Sequence, residues 1–242
     1  MTLVYVALDY ETHQENIKLA DEIALSPAVV DYNNYGFKVN LDAMAHFSPG
    51  ALNPYTFITQ ISTLGKPVFV DMKMWNGATR MKRIAQGCAE LGVDIVNMYA
   101  HAGPEFISRV VDAVSGSETK VFALTVLTHY TEADTHQLYG RSLPDAVHFF
   151  AEEAVEGGAH GIILPGNQLD VVSDLNVLKL TPGIRPAWYE DKKANFQKQI
   201  TTPTDAVLGG ADYLVVGSPI IKSPNKGEAL QRILEEIAEA SQ

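Results

Sequence analysis

The sequence predicts an α/β fold of the (β/α)8 TIM-barrel class, with residues 1–242 forming a single domain. Strand-like apolar runs alternate with helix-like segments from one end of the chain to the other. Several of these runs are apolar nearly throughout, which is typical of strands buried on both faces. The length of 242 residues is close to the roughly 250 residues of a barrel of this class. We therefore expect about eight parallel strands, with helical segments between them.

The predicted strands are runs rich in β-branched, aliphatic and aromatic residues. In chain order they are VYVALD (4–9), YGFKVN (35–40), PVFVDMK (67–73), DIVNMYA (94–100), KVFALTVL (120–127), GIILP (161–165), NVLKLT (176–181) and DYLVVGS (212–218). The intervening segments repeat apolar residues with a period of 3.6, as at 16–24 and 229–237, and are predicted to be helices.

An open, Rossmann-like sheet is the alternative fold. The turn after the first strand reads Asp9-Tyr10-Glu11-Thr12 and lacks the glycine-rich fingerprint that binds a dinucleotide. The longest irregular stretch runs from Pro186 to Phe196, between the seventh and eighth strands, and we predict that it is a functional lid.

Charge and hydropathy exclude two classes of partner. The formal net charge is −11, from 18 Lys and Arg against 29 Asp and Glu, and the sequence has no basic stripe for nucleic acid or an anionic membrane. No apolar run reaches the roughly 18 residues of a membrane span. We expect neither a nucleic-acid nor a membrane partner.

Cys88 is the only cysteine in the sequence. It excludes an intramolecular disulfide and a zinc site built from cysteines, and its helical surroundings indicate a packing role. The chain also enters its first strand without a basic, apolar leader, so we expect a cytoplasmic protein.

Polar residues close most of the predicted strands. Barrel active sites lie at the carboxyl ends of the strands, so these residues are expected to meet at one mouth. In strand order they are Asp9, Lys38 and Asn40, Asp71 and Lys73, Asn97, Tyr99 and His101, Thr128 and His129, Thr181, Pro182 and Gly183, and Gly217 and Ser218.

The stretch FVDMKMWN (69–76) places an acid and a lysine within an apolar strand. Side chains at i and i+2 share a face, so Asp71 and Lys73 are expected side by side, with Lys38 and Asp9 nearby in an alternating charge network. A protonated lysine beside a carboxylate suits proton delivery to a carbanion, and the carboxylate suits repulsion of a departing substrate carboxylate. Decarboxylation is therefore our hypothesis from the residues, and a structural ion-pair cluster is the alternative.

We expect no metal and no organic cofactor for this chemistry. His101, His129 and His160 are scattered along the chain and do not form a metal-binding pattern. The turn Gly217-Ser218-Pro219 follows the eighth strand, where barrels frequently bind phosphate, but a plain turn forced by Gly and Pro explains it equally well.

Several motifs run in a fixed order along nearly the whole chain. They are VALD at 6–9, FKV at 37–39, FVDMK at 69–73, ELGVDIVNMYA at 90–100, LTVLT at 124–128, LTPGIRP at 180–186, Gln197 ahead of Thr202-Pro203, and GADYLVVGSPI at 210–220. In this order and spacing the chain resembles the orotidine 5′-phosphate decarboxylase family. The resemblance implies a TIM barrel that forms a homodimer, each site being completed by the loop after strand three of the partner subunit.

The resemblance also implies roles for individual residues. Lys73 would donate a proton to C6 of the pyrimidine, Asp71 would face the departing CO2, and Lys38 would belong to the same network. The implied substrate-binding residues are Asp9 at a ribose hydroxyl, Thr128 beside the pyrimidine, and Pro182, Arg185, Gln197 and Gly217 around the nucleotide and its phosphate.

The chain departs from the family pattern within this site. The family's motif ends in a second aspartate followed by Ile-Pro-Asn-Thr, whereas here Asn76 is followed by Gly77-Ala78-Thr79-Arg80. We expect a site shared across a dimer, in which Asn76 is a catalytic residue, Thr79 and Arg80 bind substrate, and Arg80 is a candidate for the replacement cation. Ser218 stands where the family has its phosphate-gripping arginine, and His129 where it has a small hydroxyl residue.

The leading functional hypothesis is a carbon–carbon lyase that converts orotidine 5′-phosphate to UMP and CO2 in pyrimidine biosynthesis. One alternative is a divergent decarboxylase or lyase of the same superfamily for another nucleotide, nucleoside or sugar-phosphate acid. Another is a nucleotide-binding protein without turnover. Relatives that use Mg2+ on sugar phosphates carry a glutamate where this chain has Lys38, which argues against that branch.

Overall fold

The computed structural model describes residues 2–40, 52–190 and 199–242. Within these ranges eight parallel strands pair in sequence order and close into a barrel. The strands are Leu3–Leu8 (β1), Tyr35–Asn40 (β2), Val68–Met74 (β3), Ile95–Tyr99 (β4), Lys120–Leu124 (β5), Gly161–Ile163 (β6), Leu178–Thr181 (β7) and Tyr213–Val216 (β8). The predicted (β/α)8 barrel is confirmed and the open sheet is wrong, because β1 pairs with β8.

Helices follow the strands around the barrel. Those in the described ranges are His13–Ala24 (α1), Pro54–Ser62 (α2), Ala78–Glu90 (α3), Pro104–Val114 (α4), Glu132–Tyr139 (α5), Leu143–Glu156 (α6), Pro203–Leu208 (α7), Ser218–Ile221 (α8) and Lys226–Ala240 (α9). Short 3₁₀ turns lie at Ala100–Ala102, Gly166–Gln168 and Asp170–Val172. That one domain extends over residues 1–242 stays a prediction.

The strands bury both of their faces, as their apolar sequences predict. One face contributes to a core between strands and helices, to which Val4, Val6 and Leu8 of β1 belong. The other face fills the barrel, where a second cluster includes Tyr5 and Ala7 of the same strand. This alternation with period 2 directs Asp9, the next residue of odd number, toward the mouth of the barrel.

The barrel interior is closed below the mouth by aromatic packing. A Cβ atom at Gly161 of β6 would lie 2.4 Å from the ring of Phe122 in β5, so the lack of a side chain at Gly161 makes room for that ring. Phe122 also meets the edge of Tyr213 at a centroid distance of 5.5 Å. The barrel interior is therefore packed at this level, and the cavity that opens at the carboxyl ends of the strands lies above this layer.

The helical faces follow the predicted periodicity. In α1 the buried residues include Leu19, Ala20 and Ile23, and in α9 they include Ile233 and Ile237. Thr12 begins α1 with a capping box, in which its side chain accepts the Glu15 N–H and the Glu15 side chain accepts the Thr12 N–H. No helix in the described part of the chain is both long enough and apolar enough to cross a membrane.

Strand β5 ends earlier than its apolar sequence predicts. The run KVFALTVL extends to Leu127, but the strand ends at Leu124. Thr125 then donates both its backbone N–H, at 2.9 Å, and its hydroxyl, at 3.0 Å, to the carbonyl of Ile163 in β6. A bend at Val126 and a turn at Thr128 and His129 follow, and Leu127, Thr128 and His129 line the cavity.

The predicted lid is described only in part. Residues 191–196 of the stretch Pro186–Phe196 lie outside the described residues. At its start, the Arg232 guanidinium of α9 lies 4.6 Å from the centroid of the Trp188 ring. The role of this stretch as a lid stays a prediction.

Candidate active site

A cavity of about 370 Å³ opens at the carboxyl ends of the strands. Its floor is apolar and its wall carries the charged residues that close the strands. The floor consists of Ala7, Phe69, Leu124, Leu127, Ile163, Leu180 and Val215. The wall consists of Asp9, Lys38, Asn40, Asp71, Lys73, Asn97, Thr128, His129, Pro182, Gly183, Arg185, Gly217 and Ser218.

Three charged residues form an alternating chain across neighbouring strands. Lys38 Nζ of β2 lies 3.4 Å from Asp71 Oδ2 of β3. Lys73 Nζ donates to both carboxylate oxygens of Asp71 at 2.6 Å. The side chains of Lys38 and Asp71 are only 7% and 10% exposed, whereas that of Lys73 is 36% exposed toward the cavity. The predicted convergence of the lysines on Asp71 is therefore observed.

The environment of Asp71 favours its ionised form. Burial by itself raises the pKa of a carboxyl group. At Asp71 this effect is outweighed by the ammonium groups of Lys38 and Lys73 and by hydrogen bonds from Lys73 and Asn97, which hold its pKa below the ordinary value. A carboxylate therefore stands at the cavity wall with its charge fixed between two ammonium groups.

Lys73 reaches this position through an irregular backbone. The pairing of β3 with β4 shifts register between Val70 and Met74. Lys73 has φ of 45° and is the only non-glycine residue with positive φ in the described part of the chain. Such a conformation costs about 1–3 kcal/mol and persists only where surrounding contacts hold it. Simple strand alternation predicted the shared face of Asp71 and Lys73 but not this bulge.

A second carboxylate lies beside Lys38. Asp9 Oδ1 is 3.5 Å from Lys38 Nζ, and the Asn40 side chain joins them by donating from Nδ2 to Asp9 and accepting from Lys38 Nζ. Gly217 faces the same group, because a Cβ atom there would lie 3.4 Å from Asp9 Oδ2. Asp9 is 43% exposed, so its carboxylate remains available to a ligand.

The opposite side of the mouth carries fewer charges. Arg185 follows β7, and its Nη1 donates to the carbonyl of Ile184 at 2.9 Å. Ser218 begins the short helix α8 after β8. Together with Thr128, His129 and Pro182, these two residues line the same cavity, as the sequence predicts.

Three other predicted site residues, Asn76, Thr79 and Arg80, do not line the cavity of one chain. Asn76, Thr79 and Arg80 are exposed in and after the loop that follows β3. The Asn76 side chain accepts the backbone N–H of Gly77 at 2.7 Å. Their role in a shared site stays a prediction that requires a second chain. Gln197 lies outside the described residues.

His101, His160 and Cys88 have local packing roles. His101 stacks on Tyr99 at a centroid distance of 4.6 Å, and His160 accepts the Val121 N–H. Across the described ranges, no three His, Cys, Asp or Glu side chains form a group that could hold a metal ion. Cys88 is buried in α3, and burial raises the pKa of its thiol to about 11.

The chain is similar in sequence to a known protein family over most of its length. Residues 2–233 match the model of the "Orotidine 5′-phosphate decarboxylase / HUMPS family". The chain belongs to this family. The orotidine 5′-phosphate decarboxylase of Paramagnetospirillum magneticum is 32% identical over 97% of each chain. That of Rhodopseudomonas palustris is 35% identical over 75% of this chain and 77% of the relative.

Solved structures of family members share the fold. The crystal structure of orotidine 5′-phosphate decarboxylase from Lactobacillus acidophilus superimposes with a TM-score of 0.79, at 23% identity over 98% of both chains. The enzyme from Pyrococcus horikoshii gives a TM-score of 0.70 at 22% identity, over 98% of this chain and 99% of that one. The resemblance proposed from the motifs is confirmed as family membership.

Two asparagines of the site had no role assigned from sequence. The sequence places Asn40 and Asn97 among the polar residues near strand ends, but an asparagine at such a position commonly contacts solvent. Asn97 instead is 1% exposed, and it bonds to both Asp71 and Lys73. The signal that could have identified it is its position in β4, the strand next to the two charges.

The lowered pKa of Asp71 predicts a pH-dependent contribution to stability. A carboxyl group whose folded pKa is depressed stabilises the protein above its unfolded pKa of roughly 3.9, and this contribution is lost as pH falls through the lower folded pKa. We expect Asp71→Asn to lower the free energy of unfolding by about 3 kcal/mol at pH 7, because Lys38 loses a buried partner. The deficit should shrink between pH 5 and 3 in urea denaturation. The exposed Glu118→Gln serves as the control, and a deficit that is constant with pH would contradict an ionised Asp71.

Proposed function

We propose that this protein is an orotidine 5′-phosphate decarboxylase, which converts its substrate to UMP and CO2. The observation that carries the proposal is the buried Lys38–Asp71–Lys73 charge chain, with contacts of 3.4 and 2.6 Å, at the mouth of a barrel of this family. Family membership and curated relatives of that name over nearly the whole chain support it.

In the proposed reaction the C6–carboxylate bond breaks and its electron pair stays on C6, while CO2 leaves. Asp71 faces the substrate carboxylate, and repulsion between the two negative charges ends when CO2 departs. Lys73 then transfers a proton from Nζ to C6 and regains one from solvent. Its ammonium also stabilises the negative charge that develops on C6 before the transfer.

Lys38 and Asp9 have supporting roles in this proposal. Lys38 keeps Asp71 ionised from the buried side, where solvent cannot provide a counter-charge. Asp9, which is partly exposed beside Lys38, is suited to accept hydrogen bonds from ribose hydroxyls. The pyrimidine is then expected beside Thr128 and His129, above the apolar floor.

The phosphate is proposed to bind on the side of Arg185, Gly217 and Ser218. Arg185 provides a positive charge there, and Ser218 provides a hydroxyl where the family has an arginine. A charge-assisted contact contributes about 1.5–3 kcal/mol, so the loss of one weakens binding by roughly one to two decades without preventing it.

A homodimer completes the proposed site. Trp75, next to Asn76, is 68% exposed, and an aromatic side chain of this size is a common anchor at protein interfaces. Asn76, Thr79 and Arg80 are exposed on the same loop and on the start of α3, where a second chain can reach them. A cytoplasmic location stays a prediction.

The first prediction from the proposed function concerns turnover. Lys73→Ala should reduce CO2 release from orotidine 5′-phosphate by at least about a thousandfold, because the proton donor and its charge are both lost. Lys120→Ala, at the amino end of β5, is the control and should retain activity. Turnover in Lys73→Ala equal to wild type would overturn the assignment. Tight UMP binding by a wild-type protein that releases no CO2 would favour a binding protein without catalysis.

The second prediction concerns the phosphate side. Ser218→Arg should tighten UMP binding by about tenfold, because a cation is added near Arg185. Uridine, which lacks the phosphate, should bind the variant and the wild type equally. Calorimetric titration that finds the same change for both ligands, or none for either, would refute this location of the phosphate.

The third prediction concerns the shared site. Sedimentation at micromolar concentration should detect a dimer. Arg80→Ala should weaken UMP binding by roughly one to two decades, whereas Arg83→Ala on the same helix should not.

Mixing Lys73→Ala chains with Arg80→Ala chains should restore roughly a quarter of the sites, because half of the dimers are mixed and each mixed dimer has one intact site. A monomer, or no restoration on mixing, is incompatible with an Arg80 that acts in the partner's site.

A further inference from the structure

Asn97 connects the two charged residues of β3 through a single side chain. It lies in β4 and is 1% exposed. Its Nδ2 donates to Asp71 Oδ1 at 2.8 Å, and its Oδ1 accepts the backbone N–H of Lys73 at 2.7 Å. One buried amide therefore contacts both the carboxylate that faces the cavity and the backbone that carries the adjacent ammonium.

The backbone of β3 depends on such a contact. Lys73 has φ of 45°, which is unfavourable for a residue with a Cβ atom, and β3 shifts register against β4 at this point. The bond from the Lys73 N–H to Asn97 satisfies a backbone donor within the irregular segment. Because Lys73 extends from this backbone to reach Asp71 at 2.6 Å, a change of φ would move the ammonium away from the carboxylate.

The two partners define the orientation of the amide. Asp71 can only accept a hydrogen bond while ionised, and a backbone N–H can only donate one. The Asn97 amide satisfies both partners, because its Nδ2 donates to the carboxylate and its Oδ1 accepts the N–H. The reversed orientation would place its oxygen against the carboxylate and its NH2 group against the N–H. Serine is shorter, and an ionised aspartate would place a second negative charge against Asp71.

We propose that Asn97 is a positioning residue that fixes the carboxylate of Asp71 and the left-handed backbone of Lys73 in the reactive arrangement. The inference rests on the proposed function, since it concerns the same pair of charges. It goes further, because it makes the geometry of the pair depend on a neutral residue of another strand.

The sharpest test is Asn97→Asp, which preserves the shape of the side chain. When ionised, this side chain repels Asp71, whereas when protonated it donates to Asp71 and accepts from Lys73 as the amide does. Close carboxylates share a proton with a raised upper pKa. The titratable groups that face them are Lys38 of β2, Lys73 of β3 and Tyr99 of β4.

We therefore expect kcat of Asn97→Asp to be at least about tenfold below wild type at pH 8, and the ratio of variant to wild type to rise as pH falls toward 6. Asn97→Ala should have a lower kcat than wild type at every pH and should bind UMP within a few-fold of wild type.

Asn16→Asp is the matched control, because Asn16 is also 1% exposed and its side chain bonds to both the backbone N–H and the backbone carbonyl of Tyr10. It should lower stability but leave the kcat ratio independent of pH. A ratio for Asn97→Asp that does not change with pH would overturn the inference.

A stability measurement separates this inference from the proposed function. A carboxyl group whose pKa is raised on folding destabilises the protein at high pH, and the penalty shrinks as pH falls through the folded pKa and disappears below the unfolded pKa. Unfolding of Asn97→Asp in urea should therefore approach wild-type stability between pH 8 and 5. If wild type releases no CO2 but this recovery occurs, the proposed function fails and the positioning role stands. If CO2 is released and neither stability nor kcat recovers, the proposed function stands and the positioning role fails.

Discussion

The ion pairs of Asp71 with Lys38 and Lys73 are the interaction on which the rest of the site depends. A buried carboxylate is costly unless opposite charges and hydrogen bonds compensate it, and removal of one partner leaves an uncompensated charge. Asp71 is held by partners on both neighbouring strands, Lys38 on β2 and Asn97 on β4. Because these partners come from separate strands, the site forms only when the strands pair in the observed register, in which Asn40 lies opposite Asp71.

The apolar floor of the cavity strengthens these charges. Phe69, Leu124 and Ile163 fill the barrel directly below the charged layer and belong to one buried cluster. Water is excluded from that side, so interactions between the charges act through a medium of lower effective dielectric constant than bulk solvent. The apolar floor therefore has two effects: it stabilises the barrel by packing, and it influences how strongly Lys38 and Asp71 interact in the wall above it.

Much of this arrangement could be predicted because it follows local rules. Apolar runs located all eight strands, and the polar residues that end them located nine predicted site residues at one cavity, among them Asp9, Lys38 and Asp71. The left-handed conformation of Lys73 could not be predicted in this way, because alternation assumes a regular strand and the bulge arises from the pairing of β3 with β4. The role of Asn97 could not be predicted for the same reason, because it depends on contacts between β4 and β3. The proposed role of Asn76, Thr79 and Arg80 involves a second chain, about which one sequence carries no local signal.

The two halves of the site differ in how closely they follow the family pattern, and the difference has a mechanistic meaning. Three of the charges expected at the reacting carbon, Lys38, Asp71 and Lys73, are present and in contact, whereas Asn76 stands in place of the family's second aspartate. Two further departures from the pattern, His129 and Ser218, lie where the base and the phosphate are proposed to bind. Interactions with parts of a substrate that do not react still contribute to catalysis when they are used to orient and strain the reacting part. A weaker phosphate contact at Ser218 is therefore expected to affect the rate of decarboxylation as well as binding, even though Lys38, Asp71 and Lys73 are retained.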